Sequence, residues 1–188
     1  MLRDSNVLLA SSAGTTLGKI GPAALPVLLP ALDDPDFNVR SAACGALANL
    51  NTNAAPAVPR LCGILEHETG PIVSTAASAL LQIRKPAVPA VTELLNSTNS
   101  SARRWAAYVL GFIGPDANAS IPAIIPLTKD SDMQVRWAAV DALGRITLTS
   151  LPAAESLLEA LSDPEAAIRA VALAGLVNRP GLVRRNLP

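Results

Sequence analysis

The feature that most constrains this chain is an internal repeat. One segment recurs five times: Val39-Arg-Ser-Ala-Ala-Cys-Gly-Ala-Leu47, Ile72-Val-Ser-Thr-Ala-Ala-Ser-Ala-Leu80, Ala102-Arg-Arg-Trp-Ala-Ala-Tyr-Val-Leu110, Val135-Arg-Trp-Ala-Ala-Val-Asp-Ala-Leu143 and Ile168-Arg-Ala-Val-Ala-Leu-Ala-Gly-Leu176. A weaker copy, Leu9 to Leu17, opens the chain and continues into Gly18-Lys-Ile-Gly21. The closing leucines Leu17, Leu47, Leu80, Leu110, Leu143 and Leu176 are spaced 30, 33, 30, 33 and 33 residues apart. A period of this length marks a small supersecondary unit that buries its apolar side only by stacking on its neighbours.

A second segment precedes each of the five good copies: Leu25-Pro-Val-Leu-Leu-Pro-Ala-Leu32, Val58-Pro-Arg-Leu-Cys-Gly-Ile-Leu65, Val88-Pro-Ala-Val-Thr-Glu-Leu-Leu95, Ile121-Pro-Ala-Ile-Ile-Pro-Leu-Thr128 and Ala154-Glu-Ser-Leu-Leu-Glu-Ala-Leu161. From its second position to the closing leucine is 21 residues in every unit, so the length variation lies between units. Fixed spacing within a unit and slack between units is the mark of a packed pair of elements joined by tolerant loops. Both segments have helical period. Leu25, Leu28, Leu29 and Leu32 fall on one face of a 3.6-residue turn, as do Val39, Ala43, Ala46, Leu47 and Leu50. Pro22, Pro56 and Pro86 mark first-helix starts, where a missing N–H is harmless. Pro30 and Pro126, inside first helices, predict kinks. Turn-forming runs lie between the paired helices: Asp33-Asp-Pro-Asp, Asn96-Ser-Thr-Asn, Asp130-Ser-Asp and Ser162-Asp-Pro-Glu.

Half of the chain is hydrophobic, yet its only aromatic residues are Phe37, Trp105, Tyr108, Phe112 and Trp137. The apolar mass is therefore small and aliphatic, which suits closely packed helices. Lys and Arg total 15, as do Asp and Glu. This balance argues against a nucleic-acid partner, whose phosphates demand a basic excess. Cys44 and Cys62 fall at apolar helical positions and are read as reduced core residues. The longest apolar run, Ala23 to Leu32, holds Pro26 and Pro30 and is too short to span a bilayer. With no convincing signal peptide at the start, a cytoplasmic location and no membrane partner are expected.

A Pro-containing first helix, an Asp-rich turn and then Val-Arg-x-Ala-Ala-x-x-Ala-Leu-Gly is the pattern of the HEAT repeat. This chain resembles that family over roughly residues 4 to 179, and more narrowly the short HEAT-like class of the phycobilisome lyases. The resemblance implies an all-α fold: a right-handed α-solenoid of about five helix pairs plus an N-terminal half repeat, as a single domain. The half repeat is placed at 1–21, the pairs at 22–51, 52–84, 85–114, 115–147 and 148–179, and a tail at 180–188. It also implies that first helices line a convex side and second helices a concave one. Neither end supplies an obvious polar cap, which suggests membership of a longer repeat array or ends that meet a partner.

Two constellations stand out as sites. Arg40, Arg103, Arg136 and Arg169 share one repeat position, with Val73 breaking the series, and Asp34, Asp130 and Asp163 precede their arginines by six residues. An anion-binding stripe is one reading. The family resemblance favours the other, an Asp–Arg ladder between adjacent turns. The second constellation concerns the outer face of the second helices. Counting from the start of each recurring segment, positions one, five, eight, nine and twelve are assigned to the core, and three, seven and eleven to the groove. The groove positions are small and polar in four units, for example Ser41, Gly45, Asn49, Ser74, Ser78 and Gln82. In two adjacent units they are Arg104, Tyr108 and Phe112, then Trp137, Asp141 and Arg145. Trp, Tyr and Arg are the residues that dominate binding hot spots, so these six form the expected partner-binding patch. Trp105 lies beside them and is assigned to neither core nor groove.

No chemistry-bearing set rivals that patch. His67, the only histidine, precedes Glu68 in a predicted turn. The HEAT-like deoxyhypusine hydroxylases hold two irons with several His-Glu pairs, and a single pair cannot supply such a ligand set. No metal site, cofactor or catalytic residues are therefore expected. Asn96-Ser-Thr98 and Asn118-Ala-Ser120 match glycosylation sequons, which matters only for a secreted chain. The expected function is a non-enzymatic interaction module that grips a protein or peptide in its groove. The rival is a phycobilin lyase or other chromophore-handling protein, with Arg104, Asp141 and Arg145 as anchors. A DNA-repair glycosylase of HEAT-like fold ranks below both, because the net charge is zero.

Overall fold

A computed structural model describes residues 16–146 and 150–177. Most of the half repeat assigned to 1–21 and the tail at 180–188 lie outside those residues. Among the described residues every regular element is helical. They are α1 (Leu25–Ala31), α2 (Phe37–Asn49), α3 (Val58–His67), α4 (Pro71–Ile83), α5 (Val88–Glu93), α6 (Ser100–Ile113), α7 (Ile121–Ile124), α8 (Met133–Ile146), α9 (Leu151–Ala160) and α10 (Ala166–Val177). Each of the five recurring segments lies within one of the even-numbered helices, and the odd-numbered ones are the first helices of the pairs. Contacts divide the chain into two compact units, one up to Ala90 and one from Val91.

Proline shapes the first helices. Pro26, Pro59, Pro89, Pro122 and Pro152 each occupy the second residue of one, where the absent N–H has no intrahelical partner to lose. The last unit keeps this rule by starting three residues early, at Leu151-Pro152, rather than at the register that places Glu155 in second position. Pro22, Pro56, Pro86 and Pro115 lie just upstream, in 3₁₀ segments that lead into α1, α3, α5 and α7. The two interior prolines act differently. At Pro126 the α-helical geometry of α7 gives way to a 3₁₀ segment, Ile125–Lys129. Pro30 falls one residue before the end of α1, which stays α-helical through it.

The second helices are regular and are capped where the turn runs predicted. Asp36 accepts from Asn38 N–H at 2.8 Å and Asn99 from Ser101 N–H at 3.0 Å. Asp132 does the same for Gln134 N–H at 2.8 Å. Each such cap satisfies a backbone donor that the first helical turn leaves unpaired.

In the first unit α2 packs along α4, with α1 against α2 and α3 against α4. In the second unit α6 packs along α8 and α8 along α10, while α9 packs against α8 and α10. Positions one, five, eight, nine and twelve, counted through α2 and its C-cap Leu50 and through α4, α6 and α8, are buried, including Leu47, Leu80, Leu110 and Leu143 with no exposed area. First helices and the residues that directly follow them contribute buried leucine or valine residues four apart: Leu28 and Leu32, Leu61 and Leu65, Val91 and Leu95. Cys44 and Cys62 are free and buried. Burial, helped by the charge of Glu68, pushes the Cys44 thiol up to about 12, so it behaves as a small apolar side chain.

Candidate functional site

The arginine column is engaged on both sides. Arg103 Nε and Nη2 donate to Asp130 Oδ2 and Oδ1 of the next repeat at 2.8 and 2.9 Å. Its Nη1 turns back to the carbonyl of Ser97 in its own repeat at 2.9 Å. Arg136 copies this arrangement, with Nε to Asp163 Oδ2 at 2.9 Å and Nη1 to the carbonyl of Asp130 at 3.0 Å. The six-residue spacing is thus served by main-chain oxygen, and the carboxylate at that position serves the arginine one repeat earlier. Asp130 also accepts from Asp132 N–H, and Asp163 from Glu165 N–H, so each carboxylate pins the turn it sits in. Hydrogen bonds from Arg103 hold Asp130 below the usual carboxylate range, and Asp130 in turn raises Arg103. At Asp163, burial opposes ionisation, yet Arg136 and the Glu165 N–H together keep the carboxyl low.

Arg40 has a poorer version. Its Nη1 reaches the Asp34 and Pro35 carbonyls at 2.8 and 3.0 Å, but the acid is Glu68, touched only through Nη2 at 3.0 Å. Arg40 Nε is left buried without a partner. Arg169 donates to the Asp163 and Pro164 carbonyls, both at 2.8 Å. His67 is the last residue of α3 rather than part of a turn. Among the described residues no group of three or more His, Cys, Asp or Glu side chains is placed to hold a metal.

Four of the five aromatic residues, all but Phe37, lie in the second unit. A cleft of about 420 Å³ opens between α6, α8 and the start of α10, lined by Arg104, Trp105, Tyr108, Met133, Gln134, Trp137, Ala138, Ala167 and Ile168. Trp105 stands edge-on to Tyr108, with centroids 5.4 Å apart, and Tyr108 packs on Phe112 at 4.5 Å. Arg104 lies 5.2 Å from the centre of the Trp105 ring, and its Nη1 donates to Gln134 Oε1 at 2.8 Å. Arg145 covers Phe112 at 4.1 Å and pairs with Asp141 at 2.6 Å. Edge-to-face rings and cations over ring faces both follow from the ring quadrupole and fix the side chains in place.

The six expected patch residues therefore fall into two groups on one face. Arg104, Tyr108 and Trp137 line the cleft. Phe112, Asp141 and Arg145 make an adjoining cluster, linked through the Tyr108–Phe112 contact. Trp105, which sequence left unassigned, is a half-buried wall of the cleft. The signal for it was contrast at position four: Ala42, Thr75, Ala138 and Val171 are all smaller. One large residue facing small ones leaves a hollow, here floored by Ala138 and Ala167. Met133 and Gln134, also missed, enter from the first turn of α8.

Stacked helix pairs with no strand among the described residues define an all-α solenoid repeat protein. The family model described as HEAT repeats matches residues 1–82 and 88–177, and the chain belongs to the HEAT-repeat family. Solved structures of the same fold include the CpcE–CpcF complex of phycocyanin lyase from Nostoc sp. PCC7120. It is 28% identical with a TM-score of 0.55, over 93% of this chain and 73% of that one. A designed armadillo repeat protein in complex with the peptide (KR)4 is 17% identical with a TM-score of 0.57, covering 94% of this chain and 95% of the other. Kap95p, from a structure with RanGDP, is 15% identical with a TM-score of 0.69, covering 97% of this chain and 29% of its own. A search of curated proteins finds no significant match. Among the described residues no helix is long and apolar enough to cross a membrane.

Proposed function

We propose that this chain is a protein-interaction module that takes a segment of its partner into the cleft between α6, α8 and α10. The observation that carries this reading is the cleft itself. Tyr108 and Trp137 stand on the outer face of second helices with Trp105 half-buried beside them, and Trp137 is 38% exposed although it is large and mostly apolar. At the equivalent repeat positions of α4, Ser74, Ser78 and Gln82 are exposed and polar. Stiff amphipathic rings around a preformed hollow are what partner anchors bind, since little side-chain entropy is lost on docking. The arginine ladder has a structural task in this account, tying successive repeats so that the face keeps its shape. Relatives of the fold whose structures hold a peptide or a protein partner are consistent with such a role.

Affinity purification with the wild-type chain and with Tyr108→Ala/Trp137→Ala provides the test. The double variant is expected to lose the partners that the wild type retains while its far-ultraviolet circular dichroism is unchanged. Equal retention of the same partners by both proteins would remove the cleft from the account.

A second reading, handling of a bilin chromophore, draws on the 28% identity to the phycocyanin lyase complex. A bilin carries two propionates, and Arg104 is the cation at the cleft, whereas Arg145 is occupied by Asp141. Titrating the chain with a free bilin separates the readings: a red-shifted, sharpened absorption band dependent on Arg104 favours the chromophore.

A further inference from the structure

We infer that the segment held in the cleft presents a large apolar side chain beside a carboxylate. This deepens the interaction reading above and rests on it. The hollow is walled by Trp105, Tyr108, Trp137, Met133 and Ile168 over a floor of two alanines, so it rewards an apolar anchor and offers little to a polar one.

Charge decides what accompanies that anchor. The neighbouring arginines are already matched: Arg103 with Asp130, Arg136 with Asp163 and Arg145 with Asp141. Arg104 differs, since its Nη1 donates to the neutral amide of Gln134 and no carboxylate forms an ion pair with it among the described residues. It is also particular to this repeat, because the same position holds Ser41, Ser74, Trp137 and Ala170 elsewhere. A guanidinium beside an apolar wall is screened less than one in open solvent, so a partner carboxylate gains there and a partner cation is repelled. The geometry sets the spacing. The guanidinium lies 5.2 Å from the Trp105 ring centre, and side chains on one side of an extended peptide recur every ~6–7 Å. Acid and anchor are therefore adjacent in sequence or two residues apart.

Selection of random octapeptides displayed on phage, with the full chain as bait and the Trp137→Ala chain as counter-bait, tests this. Recovered sequences are expected to carry Phe, Leu, Trp or Met within two residues of Asp or Glu. For a synthetic peptide of the recovered sequence, followed by tryptophan fluorescence, exchange of its acid for Lys is expected to weaken binding about tenfold. Arg104→Glu is expected to reverse that preference. Peptides with an apolar anchor and either a basic neighbour or no charge preference would overturn the inference and leave the cleft as a docking place. If no sequence binds in a Trp137-dependent way, both fall.

Discussion

Between α6 and α8 the space at Gly111 admits no side chain. A Cβ built there would sit 2.8 Å from Ala142 Cα, a backbone atom that moves only if the helices part. Gly111→Ala is therefore expected to lower stability by about 1–3 kcal/mol, read as a lower urea midpoint. A second residue-scale feature is the fourth position after each closing leucine. Among the described residues Gly21, Asn51, Arg84 and Gly114 all have positive φ there, so the backbone leaves the right-handed helical region at each of these four positions. Arg84, at φ 63° and ψ −130°, pays for a conformation that Gly114 adopts freely at φ 75° and ψ −137°. Arg84→Gly is expected to stabilise the chain by about 1 kcal/mol, because the strain removed exceeds the added flexibility of the unfolded state. A lower melting temperature for this variant would show that Arg84 makes contacts worth more than its strain.

At the scale of elements, the ladder has a pH signature. The Asp130 and Asp163 carboxyls ionise more readily in the folded chain than an unperturbed Asp, so their stabilisation is present above about pH 4 and is lost as pH falls through their lowered folded values. Asp130→Asn is expected to cost about 2 kcal/mol at neutral pH and to flatten the loss of stability on acidification. A variant whose urea midpoint falls with acid as steeply as the wild type would contradict this. The second helices were legible because their core positions repeat at fixed offsets, from Val39 to Leu50 and again from Val135 to Ile146. The first helices were less so. Pro126 ends α7 after four residues, and Glu155 misled the register because the proline rule is met at Pro152 instead. The cleft was half legible. Position counting placed Tyr108 and Trp137 outward, but it could not show that Trp105 would wall a hollow over Ala138, since that depends on how two helices lie side by side.

At the scale of the molecule, the second unit concentrates its large exposed rings on one face and fills its interior with Ala, Val, Leu and Ile. This division lets a repeat protein spend stability on nearest-neighbour stacking and leave an outer face free to vary. The balance of 15 basic and 15 acidic side chains fits a module whose recognition is local rather than a broad field drawing in polyanions. The most direct test places a photo-cross-linking residue at Trp137, in the cleft, and in a second preparation at Ser78, on the outer face of α4. Irradiation with partners present should give a covalent adduct from position 137 and none from position 78. Adducts from position 78 with none from 137 would place the interaction elsewhere and contradict the account.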